Sequence, residues 1–270
     1  MHLSKHQSMG NDFLITFVPE LPADREPGDL ARRWCHRRRG IGADGLIFVT
    51  PVSQRSSHRA GTADMRMHLF NSDGSEAEIS GNGIRCLAQA EALRRGTTHC
   101  VLTIASAGGD REVDVTGFVD DRTALVSVDM GAPKPGPAIP SEVIATVPGR
   151  VGSVDLGNPH LVVEVRDPDS VVLAKEGPEL ERHFPGGINV HFVRQDRDGH
   201  IDMRVWERGA GATDSCGSGA CAAASVVRLW EPGSRIVKVR MPGGEAEITL
   251  DEAVTLSGPV SWVGDVEVLL

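Results

Sequence analysis

The sequence lacks the features that would place the chain in or on a membrane. No apolar run approaches the roughly 20 residues needed to cross a bilayer, and the first residues do not form a basic stretch followed by an apolar one. The net charge of −9 argues against nucleic acid or an anionic membrane surface as a partner. We therefore expect a cytoplasmic protein whose partners include no membrane and no nucleic acid.

The cysteine patterns typical of disulfide scaffolds and zinc sites are also lacking. The five cysteines are an odd number, and they contain no CxxC pair and no cysteine–histidine spacing typical of zinc. Neither a disulfide framework nor a structural metal is predicted. A run of arginines between residues 32 and 39 ends at Gly40, and we interpret it as the solvated end of a helix with a glycine C-cap.

The chain does contain two copies of one short pattern. Residues 215–224 read SCGSGACAAA and residues 80–88 read SGNGIRCLA, so in each copy a small-residue turn runs into an apolar helical pattern. Cys216 opens the later copy, and Ser80 stands at the same place 136 residues earlier. A helix N-terminus offers unpaired N–H groups and the positive end of the helix dipole, which hold a carboxylate and lower the pKa of a thiol. Cys216 is therefore predicted to be an activated thiol.

Two further landmarks recur in the same order along the chain. The sequence DMR at residues 64–66 returns at 202–204, and GNxxL at 10–14 returns at 157–161. All three offsets are close to half of the 270 residues. We interpret them as an internal duplication that gives two pseudo-symmetric α+β domains. Each domain is expected to wrap a mixed or antiparallel sheet around a central helix, with the active site in the cleft between the domains.

Two helix N-termini that meet in one cleft would form a nest of N–H donors for a carboxylate. One ionisable group at each helix start would then flank the neighbouring α-carbon, which is the geometry for removing a proton from one face and returning it to the other. The alternative is that both patterns are tight packing turns without chemistry. Cys86 and Cys221, one turn into the two predicted helices, are interpreted as packing residues.

Motifs spread over almost the whole chain resemble the diaminopimelate epimerase family. They are GNDF at residues 10–13, FNSDGSE at 70–76, GNGxRC at 81–86, GNPH at 157–160, and ERGxG leading to CGSGAC at 207–221. The resemblance implies an amino-acid epimerase or racemase of lysine and peptidoglycan-precursor biosynthesis, most of all one that converts LL- to meso-diaminopimelate. It implies two proton-transferring groups and no cofactor, neither PLP nor a metal. It also implies a homodimer and two domains, one at residues 1–118 with 263–270 returning to it and the other at 119–262.

The resemblance further implies roles for single residues. Cys216 corresponds to one of two catalytic thiols and Ser80 occupies the position of the other, while His160 and Glu207 lie where the family places polar groups that assist the thiols and the reacting amino group. Arg208 is expected on the distal carboxylate, which a guanidinium binds bidentately. The other expected substrate-binding residues are Asn11, Asn71, Gly81, Asn82, Asn158, Asn189, Gly217 and Ser218. Taken alone, the three asparagines outside the first repeat motif and His160 also fit ordinary turns, and Glu207 with Arg208 fits a surface ion pair.

Serine at position 80 leaves the reaction open. A hydroxyl is a far weaker acid and base near pH 7 than a thiol, so a two-base reaction should be slowed. Ser80 fits an engineered change in an ordinary epimerase, a natural residue in a paralogue that acts on another amino acid, or a relay in which water supplies the second proton. The functional alternatives are a racemase of a different amino acid, a one-base lyase such as a dehydratase, and an amino-acid-binding protein without catalysis.

Overall fold

The computed structural model describes residues 1–52, 63–77 and 79–269. The chain divides into two compact units, the first formed by Met1–Val128 with Gly258–Leu270 and the second by Asp129–Ser257. The predicted boundaries at 118/119 and 262/263 therefore move to 128/129 and 257/258. The reason at the first boundary is that residues 113–118 pair with 124–128 as antiparallel strands, which keeps both strands in the first unit.

The described residues of the first unit form a mixed sheet and two helices. The elements are β1 (His2–Ser8), β2 (Asn11–Phe17), α1 (Pro27–Trp34), β3 (Gly45–Pro51), β4 (Met65–Asn71), β5 (Glu76–Ala77), α2 (Gly81–Arg95), β6 (Cys100–Ser106), β7 (Gly109–Phe118), β8 (Thr123–Asp129) and the later part of β17 (Val254–Glu267). The pairs β2–β3 and β4–β6 are parallel, whereas β1–β2, β3–β4, β4–β5, β6–β7 and β7–β8 are antiparallel.

The central helix of this unit is α2. Every residue from Gly81 to Ala92 is buried, and the helix lies against β1, β2, β6 and β7. A helix buried on all sides belongs to a core, so it does not need a polar face. The helix stops at Gly96, whose φ of 65° is the left-handed conformation that glycine adopts at helix ends. The predicted start of a helix after Ser80 is confirmed.

The second unit is also a mixed sheet around a buried helix. The elements are β9 (Lys134–Pro135), α3 (Ser141–Thr146), β10 (Val151–Asp155), β11 (Pro159–Glu164), a 3₁₀ turn (Pro168–Ser170), α4 (Leu173–Glu181), β12 (Asn189–Gln195), β13 (Ile201–Glu207), β14 (Gly211–Thr213), α5 (Gly217–Trp230), β15 (Ile236–Met241) and β16 (Gly244–Leu250). The helix α5 is buried from Gly217 to Ala224 and lies against β10, β11, β12, β13, β15 and β16.

The strand pairings of the two units repeat in the same order. In the first unit β1–β2 is antiparallel, β2–β3 parallel, β3–β4 and β4–β5 antiparallel, β4–β6 parallel and β6–β7 antiparallel. In the second unit β10–β11, β11–β12, β12–β13, β13–β14, β13–β15 and β15–β16 follow the same sequence of directions. In chain order, the buried helix α2 comes between β5 and β6, and α5 comes between the corresponding strands β14 and β15. The internal duplication and the α+β class are therefore confirmed.

The arginine run extends beyond the end of α1, and the predicted glycine C-cap is not found. α1 stops at Trp34, so Gly40 is not its cap. Arg37 lies beyond the helix and pairs with the carboxylates of Asp12 and Asp44 at 2.8 and 2.6 Å. The predicted helix end is thus found earlier in the run, since Arg32 and Arg33 are exposed in the last turn of α1, whereas Arg37 is bound by two carboxylates. Across the described segments, no helix combines the length and apolar character that a membrane crossing needs.

Candidate active site

Ser80 and Cys216 cap the two buried helices in the same way. Ser80 has φ −143° and ψ 114°, and its Oγ accepts the Gly83 N–H at 3.0 Å. Cys216 has φ −139° and ψ 110°, and its Sγ accepts the Gly219 N–H at 3.4 Å. In both cases the side chain satisfies an amide that has no acceptor within the helix. The prediction that both residues stand at helix starts is confirmed.

The pKa of Cys216 runs against the sequence-based expectation. The residue is 6% exposed, and burial raises the thiol pKa well above its usual range, with the charge of Glu207 acting in the same direction. Hydrogen bonds with Ser218 and Gly219 lower the pKa but do not outweigh burial. The predicted lowering at the helix N-terminus is therefore wrong. With its pKa raised in this way, the Cys216 thiol is neutral at physiological pH.

Glu207 is the carboxylate beside that thiol. Its side chain forms a hydrogen bond with Cys216, and its Oε1 accepts the Thr213 hydroxyl at 2.5 Å. Glu207 ends β13 and Thr213 ends β14, and these two strands pair antiparallel. The hairpin therefore fixes the carboxylate next to the sulfur, which places two of the predicted catalytic residues together.

The first turn of α5 supplies the amides expected to hold a carboxylate. Gly217 and Ser218 are both buried, and the Ser218 Oγ lies 3.6 Å from the Cys216 Sγ. Small residues at a helix N-terminus let a ligand group approach the backbone N–H groups, which is how anion sites at such termini are formed. Among the described residues, no group of three or more His, Cys, Asp or Glu side chains is arranged to hold a metal ion.

The corresponding turn of α2 contains a buried arginine that sequence reasoning missed. Arg85 is fully buried; its Nη2 donates to Asn82 Oδ1 at 2.8 Å and to Ser8 Oγ at 2.9 Å, and its Nε donates to Gly81 O at 3.2 Å. The guanidinium holds the Asn82 side chain and adds positive charge beside the helix N-terminus, where a carboxylate would be favoured. An arginine in the middle of an apolar helical pattern was the signal available in the sequence.

Asn11 is positioned by a tight turn and a carboxylate. Met9 and Gly10 form a two-residue hairpin turn with φ values of 52° and 79°, typical of a type I′ turn. Asn11 follows at once, and its Nδ2 donates to Asp44 Oδ2 at 2.7 Å. Its Oδ1 lies 3.5 Å from Asn82 Nδ2, so the structure brings these two predicted residues together.

Asn71 lies at the same sheet edge as Asn11. It ends β4 and pairs with Gly45 at the start of β3, next to Asp44. The backbone carbonyl of Asp44 accepts the N–H of Ser72 at 2.9 Å. Asn71 is exposed, and its Nδ2 donates to Ser75 Oγ at 3.0 Å. Asp44 thus connects the turns that carry the two predicted asparagines.

His160 is paired through both ring nitrogens. Nε2 lies 2.8 Å from Asn158 Oδ1, and Nδ1 lies 2.8 Å from Nε2 of His191, a residue that sequence reasoning did not single out. Burial lowers the pKa of His160 well below its usual value of 6.5, and it lowers that of His191 to about 3. Both rings are therefore neutral at physiological pH. In this arrangement His160 forms a hydrogen bond with the side chain of Asn158. Its predicted assistance to the thiols stays a prediction.

Asn189 holds the backbone that carries Arg208. Its Oδ1 accepts the Arg208 N–H at 3.0 Å, and its Nδ2 donates to Pro159 O at 3.1 Å. The guanidinium of Arg208 is exposed and donates from Nη1 to Gly186 O at 3.1 Å. The backbone of Arg208 is thus held by a hydrogen bond, whereas its guanidinium is accessible. The substrate contacts expected of Asn189 and Arg208 stay predictions.

The sequence matches the family model described as "Diaminopimelate epimerase" over residues 5–135 and 152–263. The diaminopimelate epimerase of Desulforudis audaxviator is 41% identical over 98% of this chain and 98% of its own length. The chain belongs to the diaminopimelate epimerase family. The diaminopimelate epimerase of Moorella thermoacetica is 40% identical over 96% of both proteins.

Membership of the diaminopimelate epimerase family makes the chain an isomerase of the epimerase and racemase kind. Its fold also resembles a crystal structure of a predicted epimerase from Pseudomonas aeruginosa, with a TM-score of 0.74, 15% identity and coverage of 100% of this chain and 99% of the other. The resemblance inferred from motifs is thereby confirmed for the family and for the fold.

Proposed function

We propose that the chain interconverts LL- and meso-diaminopimelate by moving the proton on one α-carbon, as a step of lysine and peptidoglycan-precursor biosynthesis. The observation that carries the proposal is the buried Cys216 thiol at the N-cap of α5, hydrogen-bonded to Glu207. Relatives named diaminopimelate epimerase align over nearly the whole chain and support this substrate. The exposed guanidinium of Arg208 suits the second carboxylate of such a substrate.

In this proposal the reaction needs no cofactor and begins at Cys216. Glu207 takes the thiol proton, and the resulting thiolate removes the α-proton of the bound amino acid. The electron pair left on the α-carbon delocalises into the α-carboxylate, which becomes enolate-like. The backbone N–H groups of Gly217 and Ser218 stabilise the added negative charge. A proton given to the opposite face inverts the centre, whereas a proton returned by Cys216 restores the starting stereoisomer.

Ser80 is the residue from which the second proton would come, directly or through a bound water. Because its hydroxyl is a poor acid and base at neutral pH, we expect inversion to be slower than exchange at the face served by Cys216. The same residue favours a second candidate function, a family variant that acts on a different amino acid or that uses one base only.

The test is α-deuteration of LL- and meso-diaminopimelate, each incubated with the protein in deuterium oxide and analysed by mass spectrometry and chiral separation. Exchange with inversion supports the proposal, and exchange without inversion supports the one-base variant. Cys216→Ala should abolish exchange both with and without inversion. Cys221→Ala is the matched control, since Cys221 is a fully buried thiol one turn further along α5.

Two outcomes would contradict the proposed function. Calorimetric binding of diaminopimelate without exchange in either stereoisomer would indicate a binding protein that has lost catalysis. Exchange of another amino acid, with none on diaminopimelate, would assign the chain to a racemase of that amino acid.

We also propose that the chain forms a homodimer, as the family resemblance implies. Light scattering after size-exclusion chromatography at micromolar concentration should give twice the molar mass of one chain. A mass equal to that of one chain would contradict the proposal.

A further inference from the structure

His191 is a buried imidazole whose surroundings connect it to two predicted site residues. It lies in β12 and is fully buried, and β12 pairs in parallel with β11, which carries His160. The His191 Nε2 lies 2.8 Å from His160 Nδ1, and His160 Nε2 lies 2.8 Å from Asn158 Oδ1. The three side chains therefore form one hydrogen-bonded row.

The chemistry of this row allows one self-consistent set of donors. Both rings are neutral, so each carries a single N–H. The amide oxygen of Asn158 can only accept, and His160 must therefore donate to it from Nε2. Its Nδ1 is then a bare acceptor, so His191 donates to it from Nε2. This leaves a bare lone pair on His191 Nδ1, an atom that has no hydrogen-bond partner within the described residues.

The opposite set is less favourable. If the Asn158 amide were turned round, its NH₂ would face His160, every donor in the row would reverse, and His191 Nδ1 would carry a buried N–H without an acceptor. Buried unpaired N–H groups are rarer in proteins than under-satisfied acceptors. The first set also leaves the NH₂ group of Asn158 pointing away from His160 and available to a ligand.

The ring of His191 is held in place by the first turn of α5. A Cβ atom placed on Gly219 would lie 2.2 Å from His191 Cε1 and 2.7 Å from its Nδ1, so only glycine permits this contact. Gly219 is also the residue whose N–H is accepted by the Cys216 Sγ. His191 therefore packs against the turn that carries the predicted catalytic thiol.

We propose that His191 is a positioning residue that, through His160, fixes the carboxamide of Asn158 so that its NH₂ group faces the substrate. The acceptor that this arrangement fits is a carboxylate oxygen of an amino acid. This part of the inference rests on the proposed function, whereas the orientation of the row does not.

The orientation is tested by ¹⁵N NMR of the protein labelled in its histidine rings, with signals assigned from histidine variants. We expect His160 and His191 both to carry the proton on Nε2. His6 provides an opposite reference in the same spectrum: the Gln89 Nε2 donates to two backbone carbonyls, so its Oε1 must accept from His6 Nδ1. A proton on Nδ1 of His160 would overturn the inference whatever the enzyme acts on.

The consequence for binding is tested with two variants of His191. His191→Leu removes the donor to His160, whereas His191→Gln can keep one through its side-chain NH₂. We expect a rise of about 10-fold in KM and in the calorimetric Kd for meso-diaminopimelate with leucine, as for the loss of one hydrogen bond. The glutamine variant should recover most of the affinity that the leucine variant loses, and its kcat should be unchanged.

Equal affinity in the leucine and glutamine variants and the original protein would overturn the positioning role. If the original protein binds no diaminopimelate at all, the proposed function fails, and the NMR result still decides the orientation of the row.

Discussion

Replacing Ser80 with cysteine should convert a weak second acid into a competent one. The two helix caps differ by a few degrees in φ and ψ, and Cys216 accepts its amide at 3.4 Å where Ser80 accepts at 3.0 Å. The longer reach of sulfur is thus already accommodated by this backbone geometry. We expect Ser80→Cys to fold with α2 unchanged and to place a thiol where the hydroxyl now lies.

The expected effects of Ser80→Cys on rate and on stability have opposite signs. A well-placed general acid or base contributes about 10²- to 10⁴-fold to a rate, so kcat for conversion of LL- to meso-diaminopimelate should rise by that order. A thiol is a weaker cap than a hydroxyl, and loss of a good N-cap costs about 1 kcal/mol. For a chain of this size, that cost lowers Tm by roughly 2–4 °C.

The assay is stereoisomer conversion followed by chiral chromatography, with Tm measured on the same samples. Ser80→Ala is the control, since it loses both the cap and the hydroxyl and should lower Tm with no gain in rate. An unchanged conversion rate in Ser80→Cys, with diaminopimelate binding intact, would refute the assignment of residue 80 as the second proton-transfer position.

Three further predictions concern buried groups. Burial lowers the pKa of His6 from 6.5 to about 4, so between these values the unfolded chain binds a proton at His6 that the folded chain does not. His6 should therefore lower the free energy of unfolding in urea by about 2 kcal/mol between neutral pH and pH 5. Because burial also lowers the pKa of His160 and His191, these residues add losses of the same sign, and His6→Asn should remove only the share that belongs to His6. Gly219→Ala should lower the free energy of unfolding by about 1–3 kcal/mol, because the new Cβ would clash with His191. Gly83→Ala at the equivalent turn of α2 should lower it less, since the nearest atoms there lie at 3.3 Å. Equal losses of stability in thermal unfolding of the two variants would contradict the contact between Gly219 and His191. Arg85→Leu should lower unfolding stability by about 3 kcal/mol, since it leaves buried acceptors without their donor, and a loss within 0.5 kcal/mol would show that the network contributes little.

The parts of the fold that sequence reasoning found are those specified by local chemistry. The start of α2 is set by a serine cap and its end by a glycine with positive φ, both readable within a few residues. The duplication was visible because the same motifs return at one spacing. The pairing of Arg37 could not be found in this way, because its partner Asp12 lies in β2, 25 residues earlier in the chain.

The site residues that were missed depend on contacts between strands. His191 reads as one polar position in an apolar strand, and only the parallel register of β11 and β12 brings it to His160. The pKa of Cys216 was mispredicted for a related reason. The helix N-terminus is a local feature, whereas the burial that raises the pKa comes from the whole unit packed around α5.

The division of the chain has a consequence for synthesis on the ribosome. The second unit is one continuous segment, whereas the first needs residues from 258 onward, which are made last. Two of its polar contacts require that segment, since Gln89 donates to Val260 O and Ser8 donates to Pro259 O. The first unit therefore cannot complete its sheet until the whole of the second unit has been synthesised, so the usual order in which N-terminal domains fold first does not apply to it in full.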